Sequence, residues 1–145
     1  MGHVPQEPFR IDGQNHVVQR REHRGTSSRK LVAQESRARG AWGERLACQW
    51  YVRNGYSILG TNVRIGHGEI DVIAQRDDVI AICEVKTRAS REFGDPGEAL
   101  TPVKQRTVRT AAFGWAKVNS VASWRLRFDL ACVVGTRLEM LPDSF

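Results

Sequence analysis

The stretch Gly68-Glu69-Ile70-Asp71-Val72-Ile73-Ala74-Gln75, the link Arg76-Asp77-Asp78, and the run Val79-Ile80-Ala81-Ile82-Cys83-Glu84-Val85-Lys86-Thr87-Arg88 decide how the rest of the chain is read. Both long segments are rich in β-branched residues and predict two strands. Side chains two apart share a strand face, so Glu69 goes with Asp71 and Glu84 with Lys86. Asp tolerates the positive φ that a two-residue hairpin requires, so Asp77-Asp78 predicts the turn, with Arg76 facing Val79. Ile73 then faces Ile82, Asp71 faces Glu84, and Glu69 faces Lys86. The reverse face holds Ile70, Val72 and Ala74 against Val85, Cys83 and Ala81 and is wholly apolar. A slip of one residue would put Asp71 and Glu84 on opposite faces and bury charge in both layers.

In that register two carboxylates stand with Cβ atoms about 5 Å apart, which is destabilising if both are ionised and alone. A divalent cation removes the penalty, and carboxylate oxygens suit a hard ion such as Mg2+ or Mn2+, which keeps several waters. Lys86 adds an ammonium beside the acids. Two acids, a metal and a lysine are what phosphodiester hydrolysis requires. The plainer reading is an ordinary Glu69–Lys86 ion pair, with Asp71 and Glu84 satisfied by Arg64 or Arg88.

Outward from the hairpin, helical spacing of Trp42, Leu46, Ala47, Trp50 and Tyr51 predicts a helix that starts near Ala41 and stops at Asn54-Gly55. Tyr56–Arg64 predicts a first strand, interrupted by Gly60, and Ser90–Gly97 a loop. Thr101-Pro102 opens a helix to about Val118, with Thr as N-cap and Pro at the first helical position. Its buried face is expected to hold Val108, Ala111, Ala112, Trp115 and Val118. Trp124–Val134 and Arg137–Leu141 predict two further strands. The order gives an α/β domain: three layers, with a central mixed sheet of four to five strands flanked by helices.

The 145 residues include 22 basic and 16 acidic side chains, a net charge of +6. Eight basic and four acidic residues fall within 1–39, so most of the excess lies there. That segment has few large apolar residues and is expected to be a disordered basic leader to a single domain over 40–145. Cys48, Cys83 and Cys132 lie far apart in apolar runs and fit a reducing, cytoplasmic compartment, without disulfide or zinc-knuckle spacing. No apolar run approaches the roughly 20 residues of a membrane span, and the opening residues lack a secretory h-region.

Other candidates follow from position. Glu44 lies near the start of its helix, where an acid suits the dipole, and is also a candidate third ligand or water-positioning base. Lys104 stands at the third position of its helix, where the dipole disfavours a cation, and is a candidate phosphate contact. Arg106 and Arg109 are placed on that helix's more exposed side, able to follow a nucleic-acid backbone. Asp129 is expected to pair with an arginine, and the four tryptophans to be core.

The pieces Gly43-Glu44, Gly55-Tyr56, Asn62 with Arg64, Gly68-Glu69-Ile70-Asp71-Val72-Ile73, Glu84-Val85-Lys86-Thr87-Arg88, Phe93-Gly94, Lys104 and Arg127-Phe128-Asp129 together resemble the uncharacterised YraN-like proteins of the PD-(D/E)XK nuclease superfamily. The resemblance implies a restriction-endonuclease-like fold. It maps the metal-binding acid to Asp71, the Glu-x-Lys pair to Glu84 and Lys86, and the first-helix acid of resolvase-like members to Glu44. The expectation is a nuclease dependent on Mg2+ or Mn2+, held by Asp71, Glu84, the Val85 carbonyl and either Glu44 or Glu69. Its substrate is expected to be structured or branched DNA in preference to RNA, with Lys104, Arg106, Arg109 and Arg88 on phosphates. The alternative is a module of the same fold that binds nucleic acid without cutting. The oligomeric state stays open, a homodimer included.

Overall fold

The hairpin folds in the register read from its pattern. In the computed structural model, which describes residues 13–88 and 100–145 with side chains from residue 27 onward, Arg76 faces Val79, Ile73 faces Ile82 and Val72 faces Cys83. Asp77 takes the left-handed conformation at φ 53°. The loop expected at Ser90–Gly97, with Phe93-Gly94, lies outside the described residues.

The chain divides into two units, Met1–Ala38 and Arg39–Phe145. Helix α1 is Gly13–Arg53. Its start differs from the one expected near Ala41. Between residues 27 and 40 nearly every side chain is exposed, so this part of α1 rests on the helix propensity of its Ala, Arg, Lys, Gln and Glu rather than on burial. The periodicity from Trp42 onward reports only where packing begins.

In the second unit, α1 ends in a Schellman motif: Gly55 N–H donates to the Val52 carbonyl at 3.1 Å and Tyr56 N–H to that of Tyr51 at 2.9 Å, with Gly55 at φ 84°. Strand β1, Ser57–Ile65, pairs antiparallel with β2, Gly68–Arg76, and the register shifts between Ile58 and Gly60. That shift is how the strand absorbs Gly60. Strand β3, Val79–Arg88, leads to helix α2, Pro102–Val118, whose Thr101 side chain accepts the Lys104 N–H as expected of an N-cap. A 3-10 turn at Ser123–Arg125 precedes β4, Leu126–Val134, and β5, Arg137–Leu141. The sheet order is β1-β2-β3-β4-β5, with β3 and β4 parallel and the other pairs antiparallel.

The two sheet faces bury separate apolar layers. Val72, Ala74, Ala81 and Cys83 pack with Ala47 and Tyr51 of α1, and Ile73, Ile80, Ile82 and Phe128 pack with Val108, Ala111 and Ala112 of α2. This is an α/β fold of three layers around a mixed five-stranded sheet, compatible with the restriction-endonuclease-like arrangement. Close approach of α1 depends on Gly43, where an added Cβ would collide with Thr87 Cγ2 and lie 3.1 Å from Val85 Cγ1.

Several sequence expectations need correction. Ile70 joins the α2-side cluster with Ile73, not the face of Val72 and Ala74, so strand alternation breaks at Asp71. Val118 is 77% exposed and Ala116 is buried in its place, because Ala116 continues the four-residue spacing of the buried Val108 and Ala112. Trp42 and Trp124 are exposed, the latter at 73%; Trp124 lies on the 3-10 turn, before the strand begins. Gly43→Ala is expected to destabilise the protein by ~1–3 kcal/mol through overpacking. Thr87→Ser, which deletes the colliding methyl, should recover part of that loss in a double-mutant cycle of urea unfolding.

Candidate active site

The site arises where the sheet forks. The β2–β3 ladder ends at Val72↔Cys83, whereas β3 continues beside β4 as far as Arg88↔Val134. Beyond Cys83, strand β3 therefore has a neighbour on one side only. A buried backbone donor in such a gap needs another acceptor. Asp71 supplies it, with Val85 N–H donating to its Oδ2 at 2.8 Å. The break in alternation at Asp71 is the local consequence: its carboxyl serves the fork between the strands instead of standing on a face.

Glu84 is 3% exposed. Its Oε1 lies 3.4 Å from Lys104 Nζ and 4.0 Å from Lys86 Nζ. Its Oε2 is buried with no hydrogen-bond partner among the described residues. Asp71 is pushed up to about 7, first by burial, then by the charge of Glu84 and more weakly by that of Glu44, against the lowering effect of the Val85 N–H. Burial and the charge of Glu84 both disfavour the ionised form of the Asp71 carboxyl.

Glu44 reaches this region from α1, and Asn62 Nδ2 donates to its Oε2 at 2.8 Å. Asn62 adopts φ 50° between Thr61↔Val72 and Val63↔Ile70, level with Asp71. In the sequence Asn62 stands out only through the resemblance, which gives it no role. The available signal is a poor strand former placed where the strand needs a left-handed residue.

The remaining candidates separate. Glu69 faces Arg64, with which it pairs at 3.6 Å, so neither the Glu69–Lys86 pair nor a role for Arg64 on Asp71 or Glu84 is present. Lys104 does come to the site from α2, but onto Glu84. Arg109 stacks its guanidinium 4.5 Å from the Phe128 ring centroid and serves packing rather than the solvated face expected of it. Arg106 is exposed. Arg88 is half-buried at the end of β3, where its carbonyl accepts the Gly135 N–H at 3.2 Å. Asp129 pairs with Arg127 at 2.7 Å, as the sequence suggested.

Among the described residues no group of three or more His, Cys, Asp or Glu side chains makes a ready-built metal cage. The donor set nevertheless fits a hard divalent ion. Two carboxyls lie together, one buried oxygen lacks a partner among the described residues, and Mg2+ is ordinarily held by one or two carboxylates with water completing the shell. Among the described residues no helix is long and apolar enough to cross a membrane.

The profile of the Uncharacterised protein family UPF0102 matches residues 43–133, a span holding Glu44, Asp71, Glu84, Lys86 and Lys104. A UPF0102 protein of Rhodococcus opacus is 39% identical over 113 residues, covering 74% of this chain and 96% of the relative. Another, from Nocardioides sp., is 41% identical over 100 residues, 69% of this chain and 81% of the relative. A third, from Oleidesulfovibrio alaskensis, is 45% identical over 96 residues, 66% of this chain; the match spans 48% of that relative, about half its length. The chain belongs to the uncharacterised family UPF0102.

Proposed function

We propose that this protein hydrolyses phosphodiester bonds in nucleic acid with Mg2+ or Mn2+, acting on structured or branched DNA. One observation carries the reading: Glu84 Oε2 is buried and unpartnered among the described residues beside a carboxyl that retains its proton to about pH 7. An unsatisfied buried polar atom costs about 1–3 kcal/mol, more if charged, and a cation at that oxygen offsets the cost. The preference for DNA rests on the resemblance of the sequence to resolvase-like nucleases.

Asp71 and Glu84, with the Val85 carbonyl, would hold the ion, and Glu44 lies on the near side to position water. When bound, the ion lowers the pKa of its water and polarises the phosphoryl oxygen. Lys86 sets its ammonium at the edge of the carboxylates, where negative charge develops on the phosphate oxygens. Lys104 neutralises Glu84 until the ion arrives and is then free to meet a phosphate. Asp71 must lose its proton before it can serve as a ligand.

A second reading, a nucleic-acid-binding module that does not cut, draws on the two lysines that already neutralise one oxygen of Glu84. It predicts binding without any need for metal, with log K falling by about 0.9 per phosphate contact for each unit of log salt.

Asp71→Ala, Glu84→Gln and Lys86→Ala are each expected to reduce Mn2+-dependent cleavage of a panel of labelled DNA forms at least about a hundredfold, with circular dichroism unchanged. Equal cleavage by wild type and variants would trace the activity to a contaminant and end the proposal. The pH dependence follows from Asp71, raised in the fold from 3.8 to about 7. Its protonated form contributes stability that is fully present below its unfolded value and is lost as pH rises to about 7. Without metal, thermal stability should therefore fall across that window, and Asp71→Asn should flatten the slope. Mg2+ affinity measured by calorimetry should weaken as pH drops below about 7, with proton release seen as a dependence of the heat on buffer ionisation enthalpy.

A further inference from the structure

A groove between α1 and β1 adjoins the site above and shares only Glu44 with it. It is open to solvent, has a volume of about 490 Å³, and is lined by Ala41, Glu44, Arg45, Cys48, Gln49 and Thr61, within the size range of small-ligand pockets. Ala41, Arg45 and Cys48 are successive turns of one helix face, and Thr61 forms the opposite wall. Glu44 joins the groove to the candidate active site, since its charge reaches Asp71 and it is held by Asn62. Trp42, outside the lining, is 41% exposed and meets the groove through Arg45, whose guanidinium lies 5.6 Å from its ring centroid.

We infer that this groove receives the base of one unpaired nucleotide adjoining the scissile phosphate, so that the enzyme recognises single-stranded character at its cleavage point. The inference rests on the proposed nuclease reading and adds to it the state of the substrate. An exposed tryptophan next to an arginine is a stacking surface for a nucleobase of any sequence. The Gln49 amide and the Thr61 hydroxyl offer donors and acceptors to a base edge. A paired base has both faces covered and its edge engaged, so a concave pocket walled by a helix admits only a base that has left the stack. Glu44 repels phosphate from the groove itself, which leaves the backbone to Arg45 on one side and to Lys86 and Lys104 on the other.

Cys48 reports occupancy directly. It is partly exposed, whereas Cys83 and Cys132 are buried. Burial and Glu44 push its thiol up, so labelling with monobromobimane is run near pH 9, with Cys48→Ser as the background. The full chain is incubated in Ca2+ with a single-stranded oligonucleotide, a forked duplex or a blunt duplex. The expected result is that the single-stranded and forked forms slow Cys48 labelling at least about fivefold at saturation and the blunt duplex does not. Trp42→Ala should weaken single-strand affinity about tenfold, whereas Trp124→Ala, at the other exposed tryptophan, should not. Equal protection by every form, or binding and cleavage with Cys48 fully reactive, overturns the groove assignment and leaves the nuclease reading standing. Failure of all three forms to bind or be cut overturns both.

Discussion

The parting of β2 from β3 after Val72↔Cys83 is the constraint on which the site depends. β3 cannot follow both neighbours: it stays parallel to β4 for its full length and leaves β2 for β1. The donor exposed by that choice is the Val85 N–H, and the Asp71 carboxyl closes it at 2.8 Å. Sealing the fork with an acid rather than with backbone is what brings Asp71 against Glu84. Apolar layers on both faces then desolvate the pair, and desolvation is the first cause of the raised Asp71 protonation.

The molecule contains a second buried acid, and the contrast is instructive. Asp129 is fully buried, but both its oxygens are occupied: Arg127 donates to each at 2.8 and 2.7 Å, Tyr51 hydroxyl donates at 2.7 Å and the Asp143 N–H at 3.0 Å. A satisfied network of this kind fixes β4 against α1 and leaves no valence for a ligand. Glu84 has cations on Oε1 alone, at the outer limit of ion pairing for Lys86. Equal burial with unequal satisfaction separates an acid that holds the fold from one that the fold holds for something else.

Lys104 shows how position and partner divide. An N3 lysine gains nothing from the helix dipole, and in the sequence that mismatch marks it as displaced from local preference. Its partner is Glu84, 20 residues earlier in the chain and on another element, so only the packing of α2 against the sheet selects it. The same packing sets the Arg109 guanidinium over the Phe128 ring, 4.5 Å from its centroid.

The sequence by itself determined the elements whose signals are local. These are the hairpin and its register, the Thr101-Pro102 start of α2, the Asn54-Gly55 stop of α1, and the acids and lysine concentrated at one end of two strands. Burial of one wholly apolar face admits a single register, and caps and turns are set by residues within a few positions. What only the tertiary structure decided is where the strands separate. That event moved Ile70 to the other face, turned Glu69 to Arg64 and brought Asn62 to Glu44. It depends on β3 satisfying its hydrogen bonds with β4, a strand about 45 residues further along the chain, and no pattern within the hairpin carries that competition.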